Sequence, residues 1–354
     1  MKLNDFDYRL PPGLIAQRPP ARRGDSRLMV LNREKASWEH RCFSHLPEYL
    51  GTGDALVVND TKVIPARLIG KKESGGKVEV LLVRKKWGPA ETPNAREWEC
   101  LAQSSGRLRE KTRVCFEEAV AGEFMGRTPK GLWRLFLTGS RDEDLDLTLN
   151  RIGFAPLPPY IHRNGDGGTR EEDRKRYQTV YARKEGAIAA PTAGLHFTDE
   201  GLKRIRAQGV SIVYLTLHVG MGTFLPVKNE EVEKHRLEPE IFDLQPETAE
   251  ALNTTRKAGG KVFAVGTTVT RALESSVDKS GEIHAGHGLT GLFILPGHRF
   301  RAVDGLVTNF HLPRSTLLML VSAFAGREFI LSAYEAAVKK KYRFYSYGDA
   351  MLIL

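Results

Sequence analysis

The stretch Gly186-Ala-Ile-Ala-Ala-Pro-Thr-Ala-Gly-Leu-His-Phe-Thr198 gives the first indication of the fold. Its apolar beginning is typical of a short buried strand, Pro191 interrupts that strand, and small residues then lead to His196 and Phe197. Small side chains let a backbone approach a ligand closely, and glycine permits turns that other residues resist. Thr198 is suited to cap a helix with an acidic first turn. A strand, a tight loop and a helix in this order predict a ligand site in an α/β protein.

The composition of the whole chain narrows the class of protein. The 354 residues are 41% hydrophobic and carry a formal net charge of +10, which favours an acidic partner, with nucleic acid first. A basic solvated surface explains the charge equally well. The three cysteines, Cys42, Cys100 and Cys115, lack C-x-x-C spacing, which fits a reducing cytosol. Because no signal peptide or membrane-length apolar run is found, we expect a soluble cytoplasmic protein.

Residues 66–150 differ from the rest of the chain. About six short segments there alternate polar and apolar residues, with turn residues and no helices between them. They predict a small antiparallel β-barrel domain, inserted into a discontinuous main domain of residues 1–65 and 151–354. Its basic residues suit a phosphate backbone, or else a solvated edge that discourages sheet pairing. They are Lys71, Lys72, Lys85, Lys86, Arg107, Arg109, Lys111 and Arg113.

In the main domain, apolar strand-like segments alternate with amphipathic or apolar helix-like segments. This rhythm predicts an α/β fold with a mixed, largely parallel sheet and right-handed crossovers. Parallel strands end at one edge of a sheet, where ligands bind. We therefore expect five polar or glycine-rich segments to converge there: 59–61, 190–196, 218–223, 266–268 and 309–311.

Several side chains in these segments suit acid–base chemistry. His196, His218 and His311 each follow a candidate strand, although a lone histidine of this kind is more often structural. Asp60 is suited to act as a base, to bind ribose hydroxyls, or to cap a turn. A zinc site made of the three histidines lacks the usual ligand spacing, so we expect no metal. The phosphate-loop, dinucleotide and nucleophile-elbow motifs are also absent, so these residues alone do not identify a reaction.

Longer strings in the chain support a more specific interpretation. From Phe6 to the C-terminus, the chain resembles the S-adenosylmethionine:tRNA ribosyltransferase-isomerases of queuosine biosynthesis. The strings that carry the resemblance are Asp25-Ser-Arg27, Asn59-Asp-Thr61, Pro65-Ala-Arg67, Pro156-Leu-Pro-Pro-Tyr-Ile161, Tyr177-Gln-Thr179, Ala190-Pro-Thr-Ala-Gly-Leu-His-Phe197, His218-Val-Gly-Met-Gly-Thr-Phe224, Val265-Gly-Thr-Thr268, Thr308-Asn-Phe-His-Leu-Pro313, Tyr342-Arg-Phe344 and Ser346-Tyr-Gly-Asp349. The chain departs from the family pattern in two places. Lys62 replaces the usual arginine, and His235-Arg-Leu-Glu-Pro-Glu240 replaces the usual His-Lys-Met-His-Ser-Glu, so that Glu238 occupies a position that is typically histidine.

The resemblance implies an unusual use of S-adenosylmethionine, as a ribosyl donor. It is a co-substrate, and no permanently bound cofactor is expected. The implied acceptor is 7-aminomethyl-7-deazaguanine at the wobble position of a tRNA anticodon loop, and the product is epoxyqueuosine, with adenine and methionine released. In the mechanism proposed for the family, a base removes a proton from the ribose carbon next to the sulfonium. Adenine then leaves, the amine attacks, and rearrangement expels methionine. We expect a monomer without a membrane partner.

These implications assign expected roles to residues in the converging segments and on the barrel. Catalytic candidates are His196, His218, Asp60, His311 and Glu240. Candidates for binding S-adenosylmethionine are Pro191, Thr192, Ala193, Gly194, Phe197, Tyr177, Gly220, Gly222, Thr223, Gly266, Thr267, Thr268 and Arg271. Candidates for binding the RNA substrate are Asn59, Thr61, Arg67, Asn309, Ser315, Lys71, Lys72, Arg107 and Arg109. An S-adenosylmethionine-dependent RNA methyltransferase and a non-catalytic tRNA-binding protein are the alternative functions.

Overall fold

The computed structural model describes residues 1–86, 93–163, 170–220, 227 and 229–354. Within it, the chain forms two compact units. The first contains Met1–Lys62, Pro158–Asn164 and Gln178–Leu354, and the second contains Val63–Leu157 and Gly165–Tyr177. The domain limits that we expect from the sequence, at 65/66 and 150/151, stay a prediction.

The strands and helices of the described residues are numbered here in chain order. The strands are β1 Arg27–Asn32, β2 Ser37–Cys42, β3 Ala55–Asn59, β4 Thr61–Val63, β5 Arg67–Lys72, β6 Lys77–Lys86, β7 Ala95–Ser104, β8 Arg113–Cys115, β9 Ala121–Arg127, β10 Trp133–Thr138, β11 Lys184–Ala187, β12 Ser211–Leu217, β13 Glu240–Leu244, β14 Val262–Val265, β15 Gly286–Thr290, β16 Gly305–Asn309 and β17 Ala350–Ile353. The helices are α1 Leu145–Ile152, α2 Arg170–Arg176, α3 Asp199–Ala207, α4 Pro246–Lys257, α5 Thr267–Ser276, α6 Thr316–Ala325 and α7 Arg327–Lys339.

A nine-stranded mixed sheet organises the first unit, in the order β15-β13-β12-β3-β14-β16-β17-β1-β2. The four neighbours β12, β3, β14 and β16 are parallel, and Val57 of β3 is in register with Val213 and Ala264 on its two sides. Their carboxyl ends therefore lie at one edge of the sheet. The α/β prediction with a mixed sheet is confirmed. The predicted convergence is confirmed for segments 59–61, 266–268 and 309–311 and for residues 218–220 of the fourth segment, whose residues 221–223 lie outside the described residues.

The fifth segment, 190–196, also reaches this edge, where His196 meets Asn309 at the end of β16, but it does not follow a strand of the main sheet. Strand β11 ends at Ala187 and pairs with β4 in a separate two-stranded sheet, so the expected strand of the main sheet is wrong. Thr192–His196 form a 3₁₀ turn instead. Ile188, Ala189 and Ala190 are buried all the same. Their apolar character reflects this burial, which sequence alone does not distinguish from burial in a sheet.

Both faces of the main sheet are covered, which explains why its central strands are continuous apolar runs. Val57 and Leu215 pack on one face with residues of α4, α5, α6 and α7. Leu56 and Val58 pack on the other face with residues of α3. Helix α3 begins as predicted, because the Thr198 hydroxyl accepts the Gly201 amide at 3.0 Å.

The second unit contains the predicted barrel. Its six strands close in the order β10-β7-β6-β5-β8-β9, and every pairing is antiparallel. Inward residues such as Val80, Phe124 and Leu135 are fully buried and alternate with more exposed ones along each strand. The alternating pattern of residues 66–150 thus predicted this barrel correctly.

One feature of the helices bears on membranes. In the described part of the chain, no single helix is both long and apolar enough to span a bilayer. Helices α6 and α7 satisfy the length and composition test only together, as a pair bent by 115°.

Candidate active site at the carboxyl edge of the parallel strands

Asn59 joins two strand ends at this edge. Its side-chain nitrogen donates to the Leu217 carbonyl at 2.9 Å. Its oxygen accepts the Leu217 amide at 3.0 Å and the Thr61 amide at 3.1 Å. The residue is buried, so these bonds fix β3 against β12 and place the residues that follow each strand.

Asp60 and His218 lie side by side through that junction. The Thr216 hydroxyl donates to Asp60 Oδ1 at 2.6 Å, and Thr61 Oγ1 lies 2.8 Å from His218 Nδ1. Burial lowers the pKa of the His218 imidazole, while the Asp60 carboxylate acts to raise it. A Cβ on Gly186 would come within 2.9 Å of the His218 ring, so glycine is required for this close packing. His218 is half-buried, neutral near pH 7, and oriented by Thr61.

His196 is held more tightly. Asn309 Nδ2 donates to His196 Nε2 at 3.0 Å, so Nδ1 carries the hydrogen and donates to Ser26 Oγ at 2.8 Å. Its ring also packs against Phe43, with centroids 5.1 Å apart. Burial, followed by the charges of nearby arginines, lowers the pKa of His196 to about 3. The imidazole is therefore neutral at physiological pH, with both nitrogens engaged.

His311 is buried in a similar way. Its Nε2 lies 2.9 Å from Thr308 Oγ1, its amide donates to Tyr334 Oη at 3.0 Å, and its carbonyl accepts from Tyr8 Oη at 2.5 Å. Burial lowers the pKa of His311 to about 3. These contacts fix the loop after β16.

Glu240 and Arg271 form a buried ion pair of 2.5 Å. The Glu240 carboxylate also accepts the Gly220 amide at 2.9 Å. Arg271 donates to the carbonyls of Leu292 and Thr290 at 3.0 and 3.4 Å. The two residues thus connect the segment after β12 to α5. Glu238, at the position where the family usually has histidine, lines a small cavity with this pair.

The start of α5 lies next to the 3₁₀ turn. Gly266 has φ +93°, a backbone conformation that favours glycine, and the position of its Cβ would be 3.7 Å from Ala193 Cβ. Thr267 and Thr268 are 6% and 8% exposed, and in the described part of the chain neither hydroxyl has a hydrogen-bond partner. The first amides of a helix attract anions, and these hydroxyls add donors beside them.

Tyr181 packs closely against the 3₁₀ turn. A Cβ on Gly194 would meet the Tyr181 hydroxyl at 2.1 Å, so this glycine is required by packing. The hydroxyls of Tyr181 and Thr179 are buried without a partner among the described residues. Phe197 lies in the core, edge-on to Phe43 at 4.9 Å.

The remaining predicted site residues have varied surroundings. Pro191 is buried and Thr192 half-buried at the turn, Ser315 caps α6 by accepting the Leu318 amide, and Tyr177 belongs to the second unit. Arg67 makes a two-bond ion pair with Glu79, and Lys72 donates to the Ser105 carbonyl at 2.8 Å. Lys71, Arg107 and Arg109 are exposed on the barrel. Gly222 and Thr223 lie outside the described residues.

Several residues at this edge were not predicted as site residues. Ser26, Thr216, Thr179 and Tyr181 surround His196, Asp60 and the turn. Their spacing in the chain gives no signal, because each is brought there by a different element. Ser26 and Thr179 do fall within strings that carry the family resemblance.

Comparison with known proteins identifies the family. The family model described as queuosine biosynthesis protein matches residues 3–353. The chain belongs to this family. A relative from Syntrophotalea carbinolica is 51% identical over the whole of both chains, and one from Halothermothrix orenii is 49% identical over the same extent. Both are named S-adenosylmethionine:tRNA ribosyltransferase-isomerase. The resemblance found in the sequence is therefore confirmed.

A solved structure agrees with the family assignment. It is the S-adenosylmethionine tRNA ribosyltransferase of Thermotoga maritima, which is 36% identical to this chain. The match covers 99% of this chain and all of the other, with a TM-score of 0.54. The fold described above is thus that of the queuosine family.

Proposed function

We propose that this protein transfers and isomerises the ribosyl group of S-adenosylmethionine onto 7-aminomethyl-7-deazaguanine in tRNA. The product is epoxyqueuosine in tRNA, and adenine and methionine are released. The observation that carries this proposal is the identity of about half of all residues, over the full length, with relatives named for this activity. The positive net charge of +10 suits a tRNA substrate.

The partners in this proposal follow from the reaction. S-adenosylmethionine is a co-substrate, the tRNA presents its modified wobble base from the anticodon loop, and no cofactor is bound permanently. A base in a single-stranded loop can be turned out of its stack and placed in a cleft. We propose that the protein acts as a monomer in the cytoplasm, where tRNA is modified.

His218 is the group best suited to proton transfer at the candidate site. It is half-buried and neutral near pH 7, and Thr61 orients its Nδ1. The neighbouring Asp60 carboxylate would stabilise the imidazolium once the ring has taken a proton. We assign His218 as the base and Asp60 as its electrostatic partner.

The start of α5 suits the carboxylate of the methionine moiety. Thr267 and Thr268 offer hydroxyl donors without protein partners, beside the amides at the helix start. Arg271 is already bonded to Glu240 and two carbonyls, so its role is to hold Glu240 in place. Asn309 Oδ1 is buried without a partner among the described residues and suits a donor on the substrate.

His196 and His311 are positioning residues in this proposal. A pKa of about 3 keeps each ring neutral, and hydrogen bonds hold each in one orientation. His196 fixes the Asn309 amide, and His311 fixes the loop that follows it. Their substitution should disturb the geometry of substrate binding.

The test is to incubate the protein with S-adenosylmethionine and tRNA carrying 7-aminomethyl-7-deazaguanine. We expect free adenine to appear, together with epoxyqueuosine in the digested tRNA. Formation of S-adenosylhomocysteine would support the methyltransferase alternative. Tight tRNA binding without adenine release would support the non-catalytic alternative.

A further inference from the structure

A cleft on the barrel gathers basic side chains around an aromatic ring. Its volume is about 560 Å³, and its lining includes Arg107, Arg109, Arg127, Trp133 and Glu110. All of these residues belong to the second unit. Three arginines against one glutamate give the lining an excess of positive charge.

The arginines of the cleft differ from several other arginines of the barrel in how they are partnered. Arg113 pairs with Glu123 at 3.1 Å, and Arg134 pairs with Glu97 through two bonds of 2.7 and 3.1 Å. By contrast, the three cleft arginines have no carboxylate partner among the residues that the structure describes. A paired arginine is close to neutral together with its carboxylate, so the unpaired arginines give the cleft a positive potential.

Two of these arginines lie on a loop fixed by hydrogen bonds. Ser104 Oγ donates to the Gly106 carbonyl at 2.5 Å, and the Arg109 amide donates to Thr112 Oγ1 at 3.1 Å. The backbone that carries Arg107 and Arg109 is therefore held in place. Less conformational entropy is lost when a ligand binds to such a loop.

Arg127 adds a flat surface beside this loop. Its guanidinium carbon lies 4.3 Å from the centre of the Trp133 ring, and Nη1 donates to the Gly131 carbonyl at 2.6 Å. The side chain is exposed, so its second face is open to solvent. Unpaired RNA bases stack on guanidinium planes of this kind.

We propose that this cleft binds the substrate tRNA, with Arg107 and Arg109 on backbone phosphates and an unpaired base stacked on Arg127. The inference rests on the proposed function. It deepens that function by assigning a contact to the tRNA in addition to the modified base at the candidate active site. Phosphate contacts position an RNA without reading its sequence. The cleft therefore contributes affinity and takes no part in the chemical step.

Two double variants with equal loss of charge provide the test. R107A/R109A removes two of the unpaired cations, and R113A/R134A removes two paired cations from the same barrel. For the cleft variant, we expect the Kd for tRNA to rise about tenfold, and the slope of log K against log salt to decrease by roughly 1.4 to 1.8. The control variant should stay within about twofold of the wild type.

A third variant separates stacking from charge. R127K keeps the positive charge but loses the planar group, so it should weaken tRNA binding with an unchanged salt slope. A 20-residue polyglutamate competitor tests whether the cleft binds any polyanion. Displacement of tRNA by this competitor to the same extent from wild type and from R107A/R109A would contradict a cleft that is specific for RNA. Equal effects of the two double variants, or no effect of either, would overturn the proposal.

The proposed reaction is measured separately as adenine release at saturating tRNA. There, R107A/R109A should keep the kcat of the wild type, because the cleft acts only in binding. If the wild type releases no adenine, the proposed function fails whatever the binding data. If it releases adenine and the cleft variant binds normally, only the cleft proposal fails.

Discussion

The four ring nitrogens of His196 and His218 have different surroundings, and this separates two histidines that look alike in the sequence. Both follow candidate strands, but His196 has both nitrogens engaged, by Ser26 and Asn309. His218 is bonded through Nδ1 to Thr61 and is less buried. Sequence predicted the residue type at the site, while burial decides which imidazole can exchange a proton.

Replacing His218 should affect catalysis more than binding. H218Q removes the proposed base, so kcat should fall by roughly 10² to 10⁴ while the Kd for tRNA stays within about twofold. The wild-type kcat/KM should fall as pH drops through a pKa below 6.5, because a protonated imidazole is no base. This acidic limb should be absent in H218Q. The exposed His162, which is not among the groups that shift the pKa of His218, provides the control variant H162Q, which should behave as wild type.

The buried histidines should make stability depend on pH. His311 has a pKa of about 3 in the folded protein and about 6.5 in the unfolded chain, so only the unfolded chain binds its proton between these values. The free energy of unfolding should therefore fall as pH drops below 6.5. From pH 7.5 to 5.0, His311 should contribute about 2 kcal/mol of this loss.

Urea unfolding at the two pH values measures this contribution. The loss between pH 7.5 and 5.0 should be smaller in H311Q than in the wild type by about 2 kcal/mol. H162Q, which replaces an exposed histidine, should show the wild-type difference. An equal loss in H311Q and wild type would show that His311 is protonated in the folded protein.

At the scale of the elements, the sequence predicted those strands and helices that have a regular hydrophobic periodicity. The six barrel strands lie within the predicted residues 66–150, and helix α3 follows the predicted cap Thr198, because each has a regular pattern and turn or cap residues at its ends. The 190–196 segment was misassigned because a short apolar run is equally compatible with burial in a covering turn. Strand order, which places Glu240 beside Gly220 and Arg271, has no signature in a single sequence.

The start of α5 allows a test of a binding element that contributes little to folding. The hydroxyls of Thr267 and Thr268 have no partner among the described residues, so T267V/T268V should change stability by less than about 0.5 kcal/mol. The KM for S-adenosylmethionine should rise about tenfold, since donors to the substrate are lost.

T270V is the matched control on the same helix. The Thr270 hydroxyl donates to the Gly266 carbonyl at 3.2 Å, inside the helix start, and the residue is fully buried. This variant should lose stability and keep its KM for S-adenosylmethionine. A normal KM in T267V/T268V would contradict the assignment of the carboxylate to this helix start.

At the scale of the whole molecule, the chain has two kinds of sequence pattern: alternating strands and helices in the main domain, and short strands without helices in the barrel. In our proposals the two patterns correspond to different functions. The main sheet with its carboxyl edge carries the chemistry, and the barrel with its unpaired arginines carries RNA affinity. The net charge of +10 indicated an acidic partner but not where it binds. The place of binding is inferred from which individual cations form ion pairs, and these pairs depend on the register of the strands.

Following the ribose of S-adenosylmethionine tests the central claim most directly. With the label in the ribose carbons and tRNA carrying 7-aminomethyl-7-deazaguanine, we predict label in the tRNA and one adenine and one methionine released for each ribosyl group transferred. Label that stays with adenine, as in S-adenosylhomocysteine, while the tRNA gains only a methyl group would contradict the account.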